Sequence, residues 1–346
     1  MTRLSRLVFR SLLGAAALPI AQSSAQAIVI NNTAGVQTAR NFGAPFTAVT
    51  ELSMGCTGSL ISPFYVVTAQ HCTFGRNPSG ISVAFRGSDS FNTLIDEIAV
   101  SRVFQDSSDR LLDGTDFAVL ELSSRAPSSI TPLRFLSNTG SLVGSRVTTV
   151  GFGWNGVGST GHQFSADGRR WGAENVIDFI GAAADMGGRT VRNSTNIFST
   201  DFDSGSSFNN TMAAFGSSAN RLTNEGTTAP GDSGGPLLVR RNGENFIAGV
   251  LSGGTTNTSV YGDISWWTGT ERYRSFLESV GAQFVGGRRR FSSRSLSASA
   301  SQAESSFSGF SRNSSDDSVS VPESSSPLAM LMTGLLGMGL VLTRKR

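Results

Sequence analysis

The sequence predicts an all-β chain built as two barrels, and three observations carry that expectation. Short apolar runs recur along most of the chain, each bounded by clusters of Gly, Pro, Ser, Asn and Asp, the pattern of short strands joined by turns. The runs fall into two series, one between residues 43 and 135 and one between residues 145 and 266, and 346 residues give room for both barrels. Helical periodicity stands out only at Thr270 to Val280, where Tyr273, Phe276, Leu277 and Val280 recur at near-helical intervals.

Taken in order, Met1 to Ala27 opens with Arg3, Arg6 and Arg10, continues through the apolar Leu12 to Leu18 and ends in Ala25-Gln26-Ala27. That succession of charge, apolar stretch and small residues reads as a secretory signal peptide. The first series of runs is Gly58 to Thr68, Ile81 to Arg86, Ile98 to Phe104 and Asp116 to Leu122. The second is Ser145 to Trp154, Thr190 to Phe198, Pro236 to Arg240, Asn245 to Gly253 and Ser259 to Trp266. Between Trp154 and Gly231 the chain is rich in Gly, Ser, Asn and Thr, the composition of surface loops that tolerate insertion. Within it, Asp201-Phe202-Asp203-Ser204-Gly205 lacks the glutamate and glycine placement of a twelve-residue calcium loop, and His162 has no neighbouring cysteine or histidine with which to share a metal. No metal and no cofactor is expected.

The stretch Gly231-Asp232-Ser233-Gly234-Gly235-Pro236 places a hydroxyl nucleophile in a glycine-rich turn whose backbone N–H groups can face a developing oxyanion. A serine hydroxyl is a weak nucleophile near neutral pH and needs a base and a group to orient that base. Of the two histidines, His71 ends the apolar run Val66 to Ala69 and precedes Cys72, whereas His162 lies in a polar loop. Asp116 opens the apolar run to Leu122, and a carboxylate at the head of a buried strand needs a hydrogen-bond donor such as an imidazole N–H.

The order His71, Asp116, Ser233, with Thr68-Ala69-Gln70-His71-Cys72, Asp116-Phe117-Ala118-Val119-Leu120 and the Gly231 to Pro236 motif, resembles the chymotrypsin-like (trypsin) serine proteases. The resemblance covers most of residues 28 to 285 and includes the interval of 45 residues from His71 to Asp116. It departs from the family in one neighbour, Gln70 standing where an alanine is usual. It implies two six-stranded antiparallel Greek-key β-barrels, at about 28–135 and 136–268, with a C-terminal helix at 270–280. The catalytic residues would lie in the cleft between the barrels. By the same resemblance His71 is the base, Asp116 its orienting carboxylate, the amides of Gly231 and Ser233 the oxyanion hole, and Ser252 a hydrogen-bond partner of Asp116. Cys56 and Cys72, 16 residues apart, match the disulfide that closes the histidine loop, which export to an oxidising compartment would permit. Cleavage after Ala27 would leave Ile28-Val29 as a new terminus able to pair with Asp232, as the family's terminus does. Ile28-Val29 reads equally as the start of a strand.

Around the primary pocket the resemblance assigns Thr227 to the base, Ser252, Gly253 and Gly254 to the strand that pairs with substrate backbone, and Ser259 to the wall. A neutral threonine at the base disfavours arginine or lysine in the substrate, because a buried cation would lack its partner. Small or medium neutral side chains are expected, with Glu225 and Asp263 as acids that could reach the pocket from nearby.

After Val285 come Arg288 to Arg290 and a serine-biased stretch, 286–320, too poor in apolar residues to bury a core and read as a flexible linker. Residues 321–346 hold Val321-Pro322-Glu323, the apolar Leu328 to Leu342, and Arg344-Lys345-Arg346. This ending resembles a PEP-CTERM sorting signal, which implies export from a Gram-negative bacterium, transient membrane attachment and processing by an exosortase. A permanent C-terminal anchor is the other reading. Residues 28–285 hold 17 Arg and no Lys against 21 Asp and Glu, a net −4, so the basic character lies in the two ends and gives no support to nucleic-acid binding. Protein or peptide substrates are the expected partners. The rival expectations are a catalytically silent surface binding or adhesion domain and a Deg-type quality-control protease. The complete His, Asp, Ser set argues against the first. Asp232 and the cysteine pair argue against the second.

Overall fold

The computed structural model describes residues 28–106, 113–163, 167–181, 196–286 and 310–313. The signal-peptide segment, the 321–346 ending and nearly all of the serine-rich linker lie outside the described residues.

The described chain begins with β1 (Val29–Ile30) and α1 (Val36–Gly43). Six strands follow: β2 (Val49–Leu52), β3 (Cys56–Ser62), β4 (Tyr65–Thr68), β5 (Ser82–Arg86), β6 (Leu94–Asp106) and β7 (Ala118–Leu122), with the single turn α2 (Gln70–Thr73) after β4. They close a barrel in the cycle β2-β3-β4-β7-β6-β5. Closure depends on the length of β6, whose first half pairs with β5 and whose second half, past a register shift at Val100/Arg102, pairs with β7. Bulges of this kind bend a strand enough to turn a barrel corner. The apolar positions expected at residues 81–86 behave as an alternating strand should, with Val83 and Phe85 fully buried in the core beside Val49, Leu60, Val66 and Val119.

The rest of the chain supplies β8 (Arg134–Leu136), β9 (Arg146–Gly151), β10 (Asn155–Val157), β11 (Gly161–Gln163), β12 (Trp171–Val176), β13 (Phe179–Ile180), β14 (Ile197–Asp201), β15 (Gly226–Thr227), β16 (Pro236–Arg241), β17 (Glu244–Gly254), β18 (Ile264–Gly269) and β19 (Phe284–Val285). The second sheet runs β12-β9-β16-β17-β18-β14-β13 around a core that includes Val147, Phe198, Leu237, Val239, Leu251 and Trp267. Its six long strands form a half-barrel. Among the described residues no ladder joins β12 to β14, and the Asn175 side chain bridges that seam by donating to the carbonyls of Asp201 (2.8 Å) and Gly226 (2.9 Å). The fold is therefore chymotrypsin-like, a closed six-stranded barrel with a half-barrel sheet.

Three boundaries depart from the sequence reading. The run Gly58 to Thr68 is a hairpin of two strands. The strand expected at Ser259 to Trp266 sits later, at β18, because Asp263 gathers the preceding residues into a turn, accepting from Thr256 N at 3.0 Å and Ser259 N at 3.1 Å; of the one expected at Thr190 to Phe198, Ile197 and Phe198 fall in β14 and residues 190–195 lie outside the described residues. Residues 28–30 lie beside β10 and β15, away from the first barrel's sheet. The C-terminal helix is present as a short 3₁₀ turn leading into α3 (Arg274–Ser279), and Tyr273, Phe276 and Leu277 pack into the first barrel's core. A last strand, β20 (Phe310–Asn313), pairs with Val103 to Asp106, where β6 has already parted from β5. Among the described residues no helix is long and apolar enough to cross a membrane.

Arg170 ties the parts together. Fully buried, it donates to the carbonyls of Val49 (3.0 Å), Ala44 (2.8 Å) and Arg86 (2.9 Å), and burial lowers its pKa to about 9. Arg170→Met keeps much of the apolar stem but strands those carbonyls without donors, and is expected to lower stability by about 3 kcal/mol. A fall in the urea midpoint at unchanged m-value would register this loss. An unmoved midpoint would mean that water replaces the guanidinium at no cost.

Candidate active site

The apolar strand β4 delivers the chain to α2, where His71 is held from two sides. The next residue, Cys72, forms a disulfide with Cys56 at the start of β3. Asp116, 1% exposed just before β7, gives both carboxylate oxygens to the histidine: Oδ1 accepts from the backbone N–H of His71 at 2.9 Å, and Oδ2 lies 2.8 Å from Nδ1. A carboxylate accepts only, so Nδ1 carries the proton and Nε2 is left as the acceptor. Among the described residues no hydrogen bond joins Nε2 to Ser233 Oγ; Nε2 lies 3.8 Å from Cys72 Sγ. Cys56, His71 and Cys72 bring potential metal ligands together, but both sulfurs are consumed by the disulfide.

Ser233 stands in a turn clamped between the two sheets. Thr57 N donates to its carbonyl at 2.8 Å, Gly234 N donates to Leu251 O at 2.9 Å, and Gly235 N donates to Asp232 O at 2.8 Å. Gly231 (φ +97°) and Gly234 (φ +82°) occupy the region that favours glycine, and a Cβ on Gly234 would stand 2.0 Å from Thr68 Oγ1. Among the described residues neither the Gly231 nor the Ser233 amide donates within the chain, so both are free for an incoming oxygen. Thr57, which the sequence did not single out, also donates from Oγ1 to Gly231 O at 3.0 Å. One threonine thus holds both ends of the turn.

Beneath it, the Asp232 carboxylate accepts from the amides of Ala229 (2.8 Å), Gly153 (2.9 Å) and Ile28 (3.2 Å). Burial pushes its pKa up to about 7 against the pull of those three donors. Ile28 is fully buried with φ +65°, a strained conformation for a β-branched residue inside a chain.

The expected pocket residues are only partly brought together. Thr227 on β15 pairs with Val29, and its Oγ1 lies 3.0 Å from Ser265 Oγ, which also meets Thr228 Oγ1 at 2.8 Å. Ser265 faces Gly254 across the β17–β18 ladder, with Gly253 opposite Trp266. Ser265 is therefore the hydroxyl bonded to Thr227. Ser259 sits in the preceding turn, with Oγ 3.4 Å from His162 Nδ1. Ser252 does not bond Asp116. It is the extra residue of the β17 bulge between Leu251 and Gly253, and its Oγ lies 2.8 Å from Thr268 Oγ1. Glu225 and Asp263 are engaged in their own loops, Glu225 accepting from Asp203 N at 2.8 Å and Asp263 from Thr256 Oγ1 at 2.7 Å.

A buried acidic group lies behind β15. Asp178, Asp201, Asp203 and Glu225 are each 7% exposed or less. Asp178 Oδ2 accepts from Asp201 N at 3.0 Å, Asp201 Oδ2 from Met212 N at 2.9 Å, and Asp203 Oδ1 has no partner among the described residues. Burial, aided by the Asp201 charge, raises Asp178 to about 8 and Asp203 to about 7; burial also raises Glu225 to about 7.

Residues 33–178 match the family model of trypsin, a span that includes His71 and Asp116 and ends before Ser233. Two peptidase sequences from Corynebacterium glutamicum, one from strain R that is described as an uncharacterized peptidase and one from strain ATCC 13032, are each 29% identical over 267 residues, covering 75% of this chain and 75% of their own. Among solved structures, neuropsin, a serine protease expressed in the limbic system of mouse brain, is similar at 19% identity and a TM-score of 0.48, covering 69% of this chain and 96% of that one. The family match and the peptidase relatives support a trypsin-like serine peptidase in general terms.

Proposed function

We propose that this chain is an exported serine endopeptidase that hydrolyses peptide bonds through Ser233, His71 and Asp116. The observation that carries the reading is the double acceptance of His71 by Asp116, which fixes the imidazole tautomer that a general base needs. His71 Nε2 takes the proton of Ser233 Oγ as the oxygen attacks the scissile carbonyl. The imidazolium is stabilised by Asp116, and the oxyanion is received by the amides of Gly231 and Ser233. Collapse expels the amine with the proton from His71, and water repeats the sequence on the acyl-enzyme. The Ser233–His71 hydrogen bond would form as substrate closes over the pair.

Cleavage before Ile28 would remove the strained φ dihedral and turn an amide donor into an ammonium facing Asp232, a charge-assisted pair that stabilises the oxyanion turn. The Thr227, Thr228 and Ser265 hydroxyls suit a neutral, small or medium side chain in the substrate. Export by the N-terminal segment and retention at the cell surface by the C-terminal one complete the reading.

Labelling by a fluorophosphonate serine-hydrolase probe tests it. The full chain, expressed with its leader in a Gram-negative host, is expected to label outside the cytoplasm, with an N-terminus at Ile28, and to lose labelling in Ser233→Ala and His71→Ala. A folded, correctly processed chain that does not label would favour the silent binding domain, with which the missing Ser233–His71 bond is also consistent. A different mature N-terminus would remove the Asp232 pair from the mechanism.

A further inference from the structure

Four of the 17 arginines of residues 28–285 line one cavity of about 890 Å³ whose lining includes neither Ser233 nor His71. Its walls are the end of α1 and the following loop, residues 129–134, and the edges of β9, β12, β16 and β17. Arg134, Arg146, Arg240 and Arg241 share its lining with Glu174 and Glu244, a local excess of two positive charges on a domain whose net charge is −4. Two of the arginines are already engaged. Arg134 pairs with Glu244 and lies 5.1 Å over the Phe246 ring, and Arg146 is 3.5 Å from Glu174. Arg240 and Arg241 have no carboxylate partner among the described residues, and a tight turn at Asn242 (φ +51°) and Gly243 (φ +84°) carries them on a rigid hairpin. The lining also includes Phe42, Phe46 and Leu133.

We propose that this cavity is a second binding site, for an acidic peptide segment that carries an aromatic or large apolar residue. The size falls within the range of about 300–1,000 Å³ typical of sites that enclose a ligand. Guanidinium forks bind carboxylates in bidentate fashion, and two of them stand without an acid of their own. The apolar lining selects a peptide over a purely ionic polymer, because a sulfated polysaccharide would leave Phe42, Phe46 and Leu133 without an apolar partner. The proposal concerns binding alone and does not depend on hydrolysis.

The test uses the full chain carrying Ser233→Ala and a fluorescein-labelled hexapeptide of one Phe, three Glu and two Asp, with binding read by fluorescence anisotropy. Arg240 and Arg241 are exposed, so the double variant R240A/R241A is expected to fold; in the Ser233 form, unchanged fluorophosphonate labelling or, failing that, an unchanged melting transition checks this. Binding is expected to weaken about tenfold or more in that variant, to weaken between about 50 and 300 mM salt, and to be lost when Gln and Asn replace the acids. Replacing Phe by Gly in the peptide should weaken it several-fold. No binding, equal binding by the double variant, equal binding of the uncharged peptide, or binding of a sulfated polysaccharide in place of the peptide would each overturn the assignment.

Discussion

Asp116→Asn is expected to leave the fold in place and to lower kcat by about ten-thousand-fold, with little change in KM. Asparagine matches aspartate in shape, so it fits the nearly closed site before β7, and its single oxygen can still accept from the His71 amide. What it cannot do is accept from Nδ1. Its NH₂ group would instead donate to that nitrogen, driving the ring proton to Nε2, where it blocks removal of the proton from Ser233. The loss should appear in the fluorophosphonate labelling rate as well as in turnover of a peptide ester, while the melting temperature stays within a few degrees. A fall of less than about tenfold would mean that Asp116 only supports the loop and that the proposed tautomer argument is wrong.

The parts of this site legible in the sequence are those whose chemistry needs neighbours along the chain. A histidine at the end of an apolar strand, a carboxylate at the head of another, and a serine among glycines each declare themselves within a few residues. The glycines around Ser233 are legible for the same reason, since Gly231 and Gly234 hold backbone angles that other residues resist.

What was not legible depends on register and on long-range packing. Thr57 is an unremarked residue in an apolar strand until β3 comes alongside Ser233. Arg170 carries no local signal of its role, which is burial against carbonyls up to 126 positions away. β12, Trp171 to Val176, carries Gly172, Glu174 and Asn175 and so lacks strict alternation; its pairing with β9 and the Asn175 bridge make it a strand. Ser252 illustrates the sensitivity to register, because one extra residue in the β17 bulge turns its hydroxyl to Thr268 and away from the role its position suggested.

In the sequence Asp201 and Asp203 share one loop, Glu225 stands near the pocket and Asp178 draws no notice; their assembly has a large expected consequence, that the domain should lose stability as pH rises from about 5 to about 8. Asp178, raised to about 8, and Asp203 and Glu225, raised to about 7, hold protons in the folded state at pH values where the unfolded chain has released them. The folded state therefore binds more protons between about pH 4 and pH 8, and stability declines through that window before levelling off above it. The strain is well placed to reach the site. Glu225 adjoins Gly226 and Thr227, and its carbonyl accepts from the Asn31 amide at 2.9 Å, so charging the cluster loads both β15 and the segment that carries Ile28. Urea midpoints at pH 5 and pH 8 are expected to differ in favour of pH 5, and Asp178→Asn should reduce the difference by removing one of the protons. A midpoint that rises with pH would show that these carboxyl groups ionise in the folded domain without cost, and a pH dependence that Asp178→Asn leaves untouched would take Asp178 out of the account and leave it to Asp203, Glu225 and Asp232.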